Sequence, residues 1–133
     1  MKRFLIVDDE ILSLTILKDF LSEFAHCDGA QNGKTAYEMF EKAVMDGKPY
    51  DLICSDIVMP EMGGHELVHK VRDREKSLPV QHLLHTKIFM ISTSSTPKDM
   101  TCALWDNDCD DYVVKPFQRE QLKSLLEKYN LID

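Results

Sequence analysis

The chain has 133 residues, of which 44% are hydrophobic and 29% charged, and its formal net charge at pH 7 is −7. This size and composition predict one soluble, cytoplasmic domain over residues 1–133 with a core of its own. The negative charge argues against a nucleic-acid or anionic-membrane partner. No apolar run approaches the ~20 residues of a membrane span, and the N-terminus is not a signal peptide.

Short runs of strand-forming residues alternate with helical apolar spacing through the first half of the chain. Turn formers separate these runs, notably Asn32-Gly33 and Gly47-Lys48-Pro49. The predicted elements are, in order, a strand at residues 3–7, a helix at 11–24, a weak strand candidate at 26–31, a helix at about 34–45 and a strand at 52–56.

The same alternation continues in the second half. Residues 76–87 fit neither pattern and are interpreted as an elaborated loop, longer than the usual connection of about 2–6 residues. The other predicted elements are a helix at 64–74, a strand at 88–91, a short polar helix at about 98–106, a strand at 112–114 and a helix at 119–129. Strands alternating with helices predict an α/β fold, with a parallel sheet covered on both faces.

The third predicted strand is apolar and ends on Asp56, and the loop after it contains Pro60 and Gly63-Gly64. In open α/β sheets, ligands bind beyond the carboxyl ends of the strands. A lone aspartate in this position would most simply cap a turn. A chemical role for Asp56 therefore depends on what the other strands bring to the same edge.

Polar or charged residues lie at the ends of four of the predicted strands. The residues are Asp8 and Asp9 after the first strand, Asp56 on the third, Ser92 or Thr93 after the fourth, and Lys115 after the fifth. Crowded carboxylates repel one another unless a cation intervenes, and such oxygen ligands suit Mg²⁺. A lysine and a hydroxyl can hold the oxygens of a phosphoryl group. The set predicts an aspartate that accepts a phosphoryl group, with metal and lysine neutralising the charge of transfer.

The sequence resembles the receiver domains of two-component response regulators over essentially its whole length. The resemblance rests on residues 6–10, on Asp56 with residues 59–64, and on residues 91–93 and 112–117. It implies a doubly wound, flavodoxin-like sheet of five parallel strands in the order 2-1-3-4-5. It also implies a stand-alone receiver without an effector domain, either a monomer or a weak phosphorylation-dependent dimer.

The resemblance further implies that a histidine kinase or histidine phosphotransfer protein phosphorylates Asp56. The protein would then switch the binding of a downstream partner or relay the phosphoryl group, and it would catalyse only its own phosphotransfer and dephosphorylation. The metal would be Mg²⁺, bound directly by Asp9, through water by Asp8, and by Asp56 and the backbone carbonyl of Val58.

Three further roles follow from the same resemblance. Ser92 would donate its hydroxyl to the phosphoryl group, Lys115 would form an ion pair with it, and Tyr112 would be the aromatic residue that moves with the switch. The Lys115–Pro116 peptide would be cis, which is physically inexpensive only before proline. Thr93 remains the alternative to Ser92, which is favoured because it directly follows the apolar run.

Other classes of function fit less well. Haloacid-dehalogenase-like phosphatases also use an aspartate and Mg²⁺, but they place the nucleophile after the first strand in an Asp-x-Asp pattern. A degenerate receiver that binds partners without phosphorylation would not need the intact acids, hydroxyl and lysine. The four cysteines lack the spacing of a metal site and are predicted to be free thiols, largely buried: Cys27, Cys54, Cys102 and Cys109.

Overall fold

Five parallel strands form one sheet in a computed structural model that describes residues 1–79, 85–93, 98, 100 and 109–132. Their order is β2-β1-β3-β4-β5, which confirms the predicted topology. The strands are β1 (Arg3–Val7), β2 (His26–Ala30), β3 (Leu52–Ser55), β4 (Lys87–Ser92) and β5 (Asp111–Val114).

Helices cover both faces of the sheet. Within the described ranges they are α1 (Ile11–Leu21), α2 (Gly33–Met45), α3 (Gly64–Lys76) and α4 (Arg119–Lys128). The label α4 refers to the last helix of the chain, because most of the short helix predicted at residues 98–106 lies outside the described residues. None of the described helices has the length and apolar character needed to cross a membrane.

Two apolar cores lie on opposite faces of the sheet because successive strand residues point in opposite directions. Phe4, Ile6 and Phe89 face α1 and α4, whereas Leu5 and Ile53 face α2 and α3. The strands are therefore buried on both faces, which explains why their sequences are continuously apolar rather than alternating.

Several boundaries differ from the prediction. Helix α1 ends at Leu21, three residues early, and the next residues form a turn. The predicted turn at Asn32-Gly33 is the start of α2, where the Asn32 side chain caps the helix by accepting a hydrogen bond from the Thr35 amide at 2.8 Å. Helix α3 continues to Lys76, and residues 80–84 of the predicted loop lie outside the described residues.

A buried ion network closes the edge of the sheet where the strands begin. The guanidinium of Arg72 on α3 donates to Glu75 at 2.7 Å and to Asp110 at 2.9 Å. Both carboxylates also accept backbone amides, Glu75 from Thr86 and Asp110 from Ile88, each at 2.8 Å. The network therefore joins α3 to the start of β4 and to the residue that precedes β5.

Three of the four cysteines are described, and they confirm the prediction. Cys27, Cys54 and Cys109 are free and buried. Burial raises the pKa of the Cys109 thiol to about 12, so this thiol stays protonated and unreactive at neutral pH. Cys102 lies outside the described residues.

Candidate functional site

Three carboxylates meet where β1 and β3 end. These strands are neighbours, with Val7 opposite Ser55, so the residues that follow each strand lie side by side. One carboxylate oxygen each from Asp8, Asp9 and Asp56 can be chosen so that all three lie within 4.8 Å of one another. Asp56 lies one residue beyond β3 rather than on its last residue as predicted, because the regular strand ends at Ser55.

Backbone hydrogen bonds fix the acids. The Asp8 side chain is only 5% exposed and accepts a hydrogen bond from the Glu10 amide at 2.9 Å. The amide of Asp56 donates to the Val7 carbonyl at 3.0 Å, and its carboxylate accepts the Ile57 amide at 2.7 Å. The cluster is thus built by the local backbone of β1 and β3.

Lys115 brings a positive charge into this cluster from the end of β5. Its Nζ lies 2.8 Å from a carboxylate oxygen of Asp8 and 3.5 Å from one of Asp56. Its backbone amide donates to the Ser92 carbonyl at 2.7 Å, which ties it to the end of β4. Burial by itself would lower the pKa of Lys115, but the hydrogen bond that Lys115 donates to Asp8 and the negative charges of Asp56 and Asp8 raise this pKa above its usual value.

The raised pKa of Lys115 predicts a loss of stability at alkaline pH. The folded state holds this proton more tightly than the unfolded chain, so the contribution is complete below the unfolded pKa of about 10.4 and disappears as pH rises through the higher folded pKa. We expect the difference in free energy of unfolding between the wild type and Lys115→Met to shrink above about pH 10.4. Urea denaturation at a series of pH values measures it, and a constant difference contradicts the expectation.

The structure places the predicted switch residues on neighbouring strands. Ser92 is the last residue of β4 and only 2% exposed, whereas Thr93 follows it and is exposed. Tyr112 lies on β5 opposite Met90 and is buried in the core that faces α2 and α3. The Lys115–Pro116 peptide is cis, as predicted.

The loop after Asp56 has almost no free space. A Cβ atom at Gly64 would collide with the Asp56 carbonyl, and one at Gly33 on α2 would collide with the Met62 carbonyl. The Gly64 amide donates to the Ile57 carbonyl at 2.7 Å and closes the loop. Glycine is therefore required where this loop meets α2 and α3. The outer part of the loop is open to solvent: Val58 is 75% exposed, and Pro60 and Glu61 are exposed as well.

A groove beside the acids was not predicted from the sequence. It lies between α1 and the segment after β5, encloses about 510 Å³, and includes Asp8, Lys115 and Thr93 together with several apolar side chains. The feature of the sequence that could have indicated the groove is Ile16. This apolar residue does not lie on the buried face of α1 and is 58% exposed. An isolated exposed isoleucine is ordinary, so only its neighbours in space identify the groove.

The sequence is similar to those of several known proteins. The profile of the response regulator receiver domain matches residues 4–127. A CheY homologue of the chemotaxis system of Campylobacter jejuni is 32% identical over 127 residues, which cover 94% of this chain and 89% of the relative. The hybrid signal transduction histidine kinase L of Dictyostelium discoideum is 31% identical over 128 residues. That match covers 94% of this chain but only 7% of the kinase.

Two solved structures show the same architecture. The chemotaxis protein CheY4 of Vibrio cholerae superposes with a TM-score of 0.81 at 28% identity, covering 97% of this chain and 98% of that one. The response regulator TrrA of Thermotoga maritima, in complex with Mg²⁺ and BeF, superposes with a TM-score of 0.76 at 31% identity. This match covers 97% of the present chain and 99% of TrrA.

Proposed function

Because this chain belongs to the response regulator receiver domain family of two-component signalling, we propose that its Asp56 accepts a phosphoryl group from a sensor histidine kinase or a histidine phosphotransfer protein. Phosphorylation then changes the affinity for a downstream protein, or the phosphoryl group is relayed onward. The protein catalyses only the transfer of the phosphoryl group to its own Asp56 and the later hydrolysis of that phosphoryl group, which returns it to the unphosphorylated state.

The position of Lys115 is the observation that supports this proposal most strongly. A single ammonium group lies 2.8 Å from Asp8 and 3.5 Å from Asp56, in a cluster with three carboxylates. An Asp56 that gains a phosphoryl group also gains negative charge, and Lys115 is within reach to pair with it. Positioned charges of this kind are the main means by which proteins stabilise phosphoryl transfer.

The acids fit a magnesium ion. Carboxylate oxygens are hard ligands, and Mg²⁺ is usually bound by one or two carboxylates, with water in its remaining positions. We assign Asp9 as a direct ligand, Asp8 as a ligand through water, and Asp56 and the Val58 carbonyl as the other protein ligands. The bound ion would supply positive charge opposite the phosphoryl oxygens. The similar regulator TrrA is known in complex with Mg²⁺ and BeF.

Each of the other side chains has a defined role in this proposal. A carboxylate oxygen of Asp56 attacks the phosphorus, and the bond from phosphorus to the donor atom breaks. Lys115 and the Ser92 hydroxyl bind the phosphoryl oxygens. Movement of Ser92 toward them opens space beside β4 that Tyr112 fills, since Tyr112 lies on the neighbouring strand opposite Met90. The surface formed by β5, α4 and the short helix predicted at residues 98–106, most of which lies outside the described residues, then carries the output.

Labelling with a small phosphodonor tests the proposal. Incubation with acetyl phosphate and Mg²⁺ should add one phosphoryl group per chain, measured by intact mass. The product should be an acyl phosphate, which hydroxylamine cleaves. Omitting Mg²⁺ or adding a chelator should prevent labelling. A chain that remains unlabelled at saturating donor and metal contradicts the proposed function.

The exposed side chain of Val58 predicts a long-lived phosphoryl group. Hydrolysis needs a water molecule aligned with the phosphorus, and Val58, two residues after Asp56, cannot form a hydrogen bond to hold one. We expect Val58→Asn to accelerate autodephosphorylation by up to about 10²-fold, the range associated with one positioned polar group. Time courses of phosphoryl loss compare the two proteins. A fast wild type, or a variant with no gain, shows that another group positions the water.

A further inference from the structure

A cavity lies at the edge of the sheet where the strands begin, opposite to the three acids. It encloses about 350 Å³ between the C-terminal ends of α2 and α3 and the residues that precede β3 and β4. Ligand sites in proteins typically enclose about 300–1,000 Å³ and combine apolar walls with a few polar groups. The apolar lining residues are Phe40, Val44, Met45, Pro49, Leu78 and Pro79.

Arg74 gives the lining of this cavity a positively charged group. Its guanidinium donates to the Glu41 carboxylate at 2.6 Å and to the Ser77 hydroxyl at 2.9 Å. An arginine has more N–H donors than these two contacts use. The Arg74 side chain is also 25% exposed, so a ligand can reach it. The guanidinium can therefore donate to a ligand carboxylate, whose planar shape matches its own.

Glu75, the next residue of α3, gives the lining a negatively charged group. Its side chain is only 7% exposed, and its carboxylate accepts hydrogen bonds from Arg72 at 2.7 Å and from the Thr86 amide at 2.8 Å. A carboxylate has lone pairs for further donors. The guanidinium of Arg72 also binds Asp110, so it divides its positive charge between two carboxylates. Glu75 can therefore accept a further donor that carries a positive charge.

We propose that this cavity binds a small apolar amino acid in its zwitterionic form. The ammonium group of the ligand pairs with Glu75, and its carboxylate pairs with Arg74. The apolar side chain of the ligand packs against Phe40 and Val44, where its burial removes apolar surface from water. The cavity is separate from Asp56, so the inference goes beyond the proposed function and does not depend on it.

The two charged groups of the lining favour a zwitterion over a ligand with a single charge. Arg74 and Glu75 are consecutive in the sequence and opposite in sign, so an amino acid can pair with both and adds no net charge to the site. A ligand with only an ammonium or only a carboxylate group brings an uncompensated charge among apolar walls, which is costly.

Ligands with the same phenylalkyl body test the two charged contacts separately. L-Phenylalanine carries both charges, 2-phenylethylamine carries only the ammonium group, and 3-phenylpropionate carries only the carboxylate. Each is titrated into the full chain while the amide signals are followed by NMR spectroscopy. We expect phenylalanine to shift the signals of Phe40, Val44 and Thr86 with a Kd of about 1 mM or lower. Each of the other ligands should bind at least about tenfold more weakly, because one hydrogen-bonded charge is missing.

Arg74→Ala removes the cation that holds the ligand carboxylate. The ion pair of Arg74 with Glu41 is partly exposed, so this variant should remain folded. Its affinity for phenylalanine should fall at least about tenfold, whereas its affinity for 2-phenylethylamine should be unchanged. Lys76→Ala is the matched control, because Lys76 is an exposed cation at the end of the same helix and does not line the cavity.

The proposal is overturned if phenylalanine leaves the signals of the cavity residues unchanged. Equal affinities for the three ligands also overturn it, since they would indicate that only the apolar walls bind. An equal loss of phenylalanine affinity in Arg74→Ala and Lys76→Ala would show a general effect of surface charge and would overturn it as well. None of these results involves labelling of Asp56, so failure of this proposal is distinguishable from failure of the proposed function.

Discussion

Replacement of Asp56 by asparagine is expected to abolish labelling by acetyl phosphate, with a loss of more than about 10³-fold, as for other nucleophile deletions. The amide keeps the shape of the side chain but is not a nucleophile. The Lys115 ammonium contacts both Asp8 and Asp56, but the Asp8 side chain is only 5% exposed whereas that of Asp56 is 18% exposed, so Asp56 is the more accessible of the two carboxylates. The measurement is phosphoryl incorporation by intact mass and by peptide mapping after borohydride trapping.

The control for this variant is Glu61→Gln. Glu61 is an exposed carboxylate in the same loop, five residues after Asp56, and its replacement also removes one negative charge. This variant should be labelled as the wild type is. Labelling of Asp56→Asn to the wild-type extent would show that another residue is the acceptor.

Truncation of Arg72 to alanine should destabilise the protein by about 3–5 kcal/mol. The Arg72 and Glu75 side chains are each only 7% exposed, and Asp110 is 15% exposed. Removal of the guanidinium leaves two buried carboxylates without their cation, and this uncompensated charge is the source of the large effect. Urea denaturation should show a lower midpoint with an unchanged slope.

Arg74→Ala is the matched comparison for Arg72. Arg74 lies two residues further along α3 and pairs with Glu41 at 2.6 Å, but both of these side chains are substantially more exposed. Ion pairs at the surface contribute about 0–1 kcal/mol, so this variant should lose at most about 1 kcal/mol. Equal losses in the two variants would show that burial of the Arg72 network does not determine its contribution.

The strand order and the acid cluster could be predicted because both depend on local patterns. Each strand is a continuous apolar run, and polar residues that follow parallel strands necessarily meet at one edge of the sheet. This reasoning predicts that Asp8, Asp9, Asp56 and Lys115 lie together at that edge. It could not specify that Lys115 lies closer to Asp8 than to Asp56, because that depends on side-chain conformations.

The ion network at the other edge of the sheet was missed for a different reason. Neither Arg72 nor Glu75 was singled out from the sequence, because charged residues are rarely buried. Their spacing was nevertheless informative, since Arg72 follows Val68 by four residues and Glu75 follows Val71 by four, which places them on the apolar face. Their partner Asp110 is 38 residues away from Arg72, and no local pattern links the two.

The tight contacts around Gly33 and Gly64 determine which side of the acceptor site can move. The loop that bears Asp56 is wedged between α2 and α3, and even one added carbon atom finds no room at either glycine. Close packing at these two glycines restricts movement of the loop toward α2 and α3. Under the proposed function, we expect the response to a phosphoryl group on the opposite side, at Ser92, which ends β4, and at Thr93 and Lys115, which follow β4 and β5. If Asp56 is phosphorylated as proposed, its loop should keep its position while the ends of β4 and β5 move.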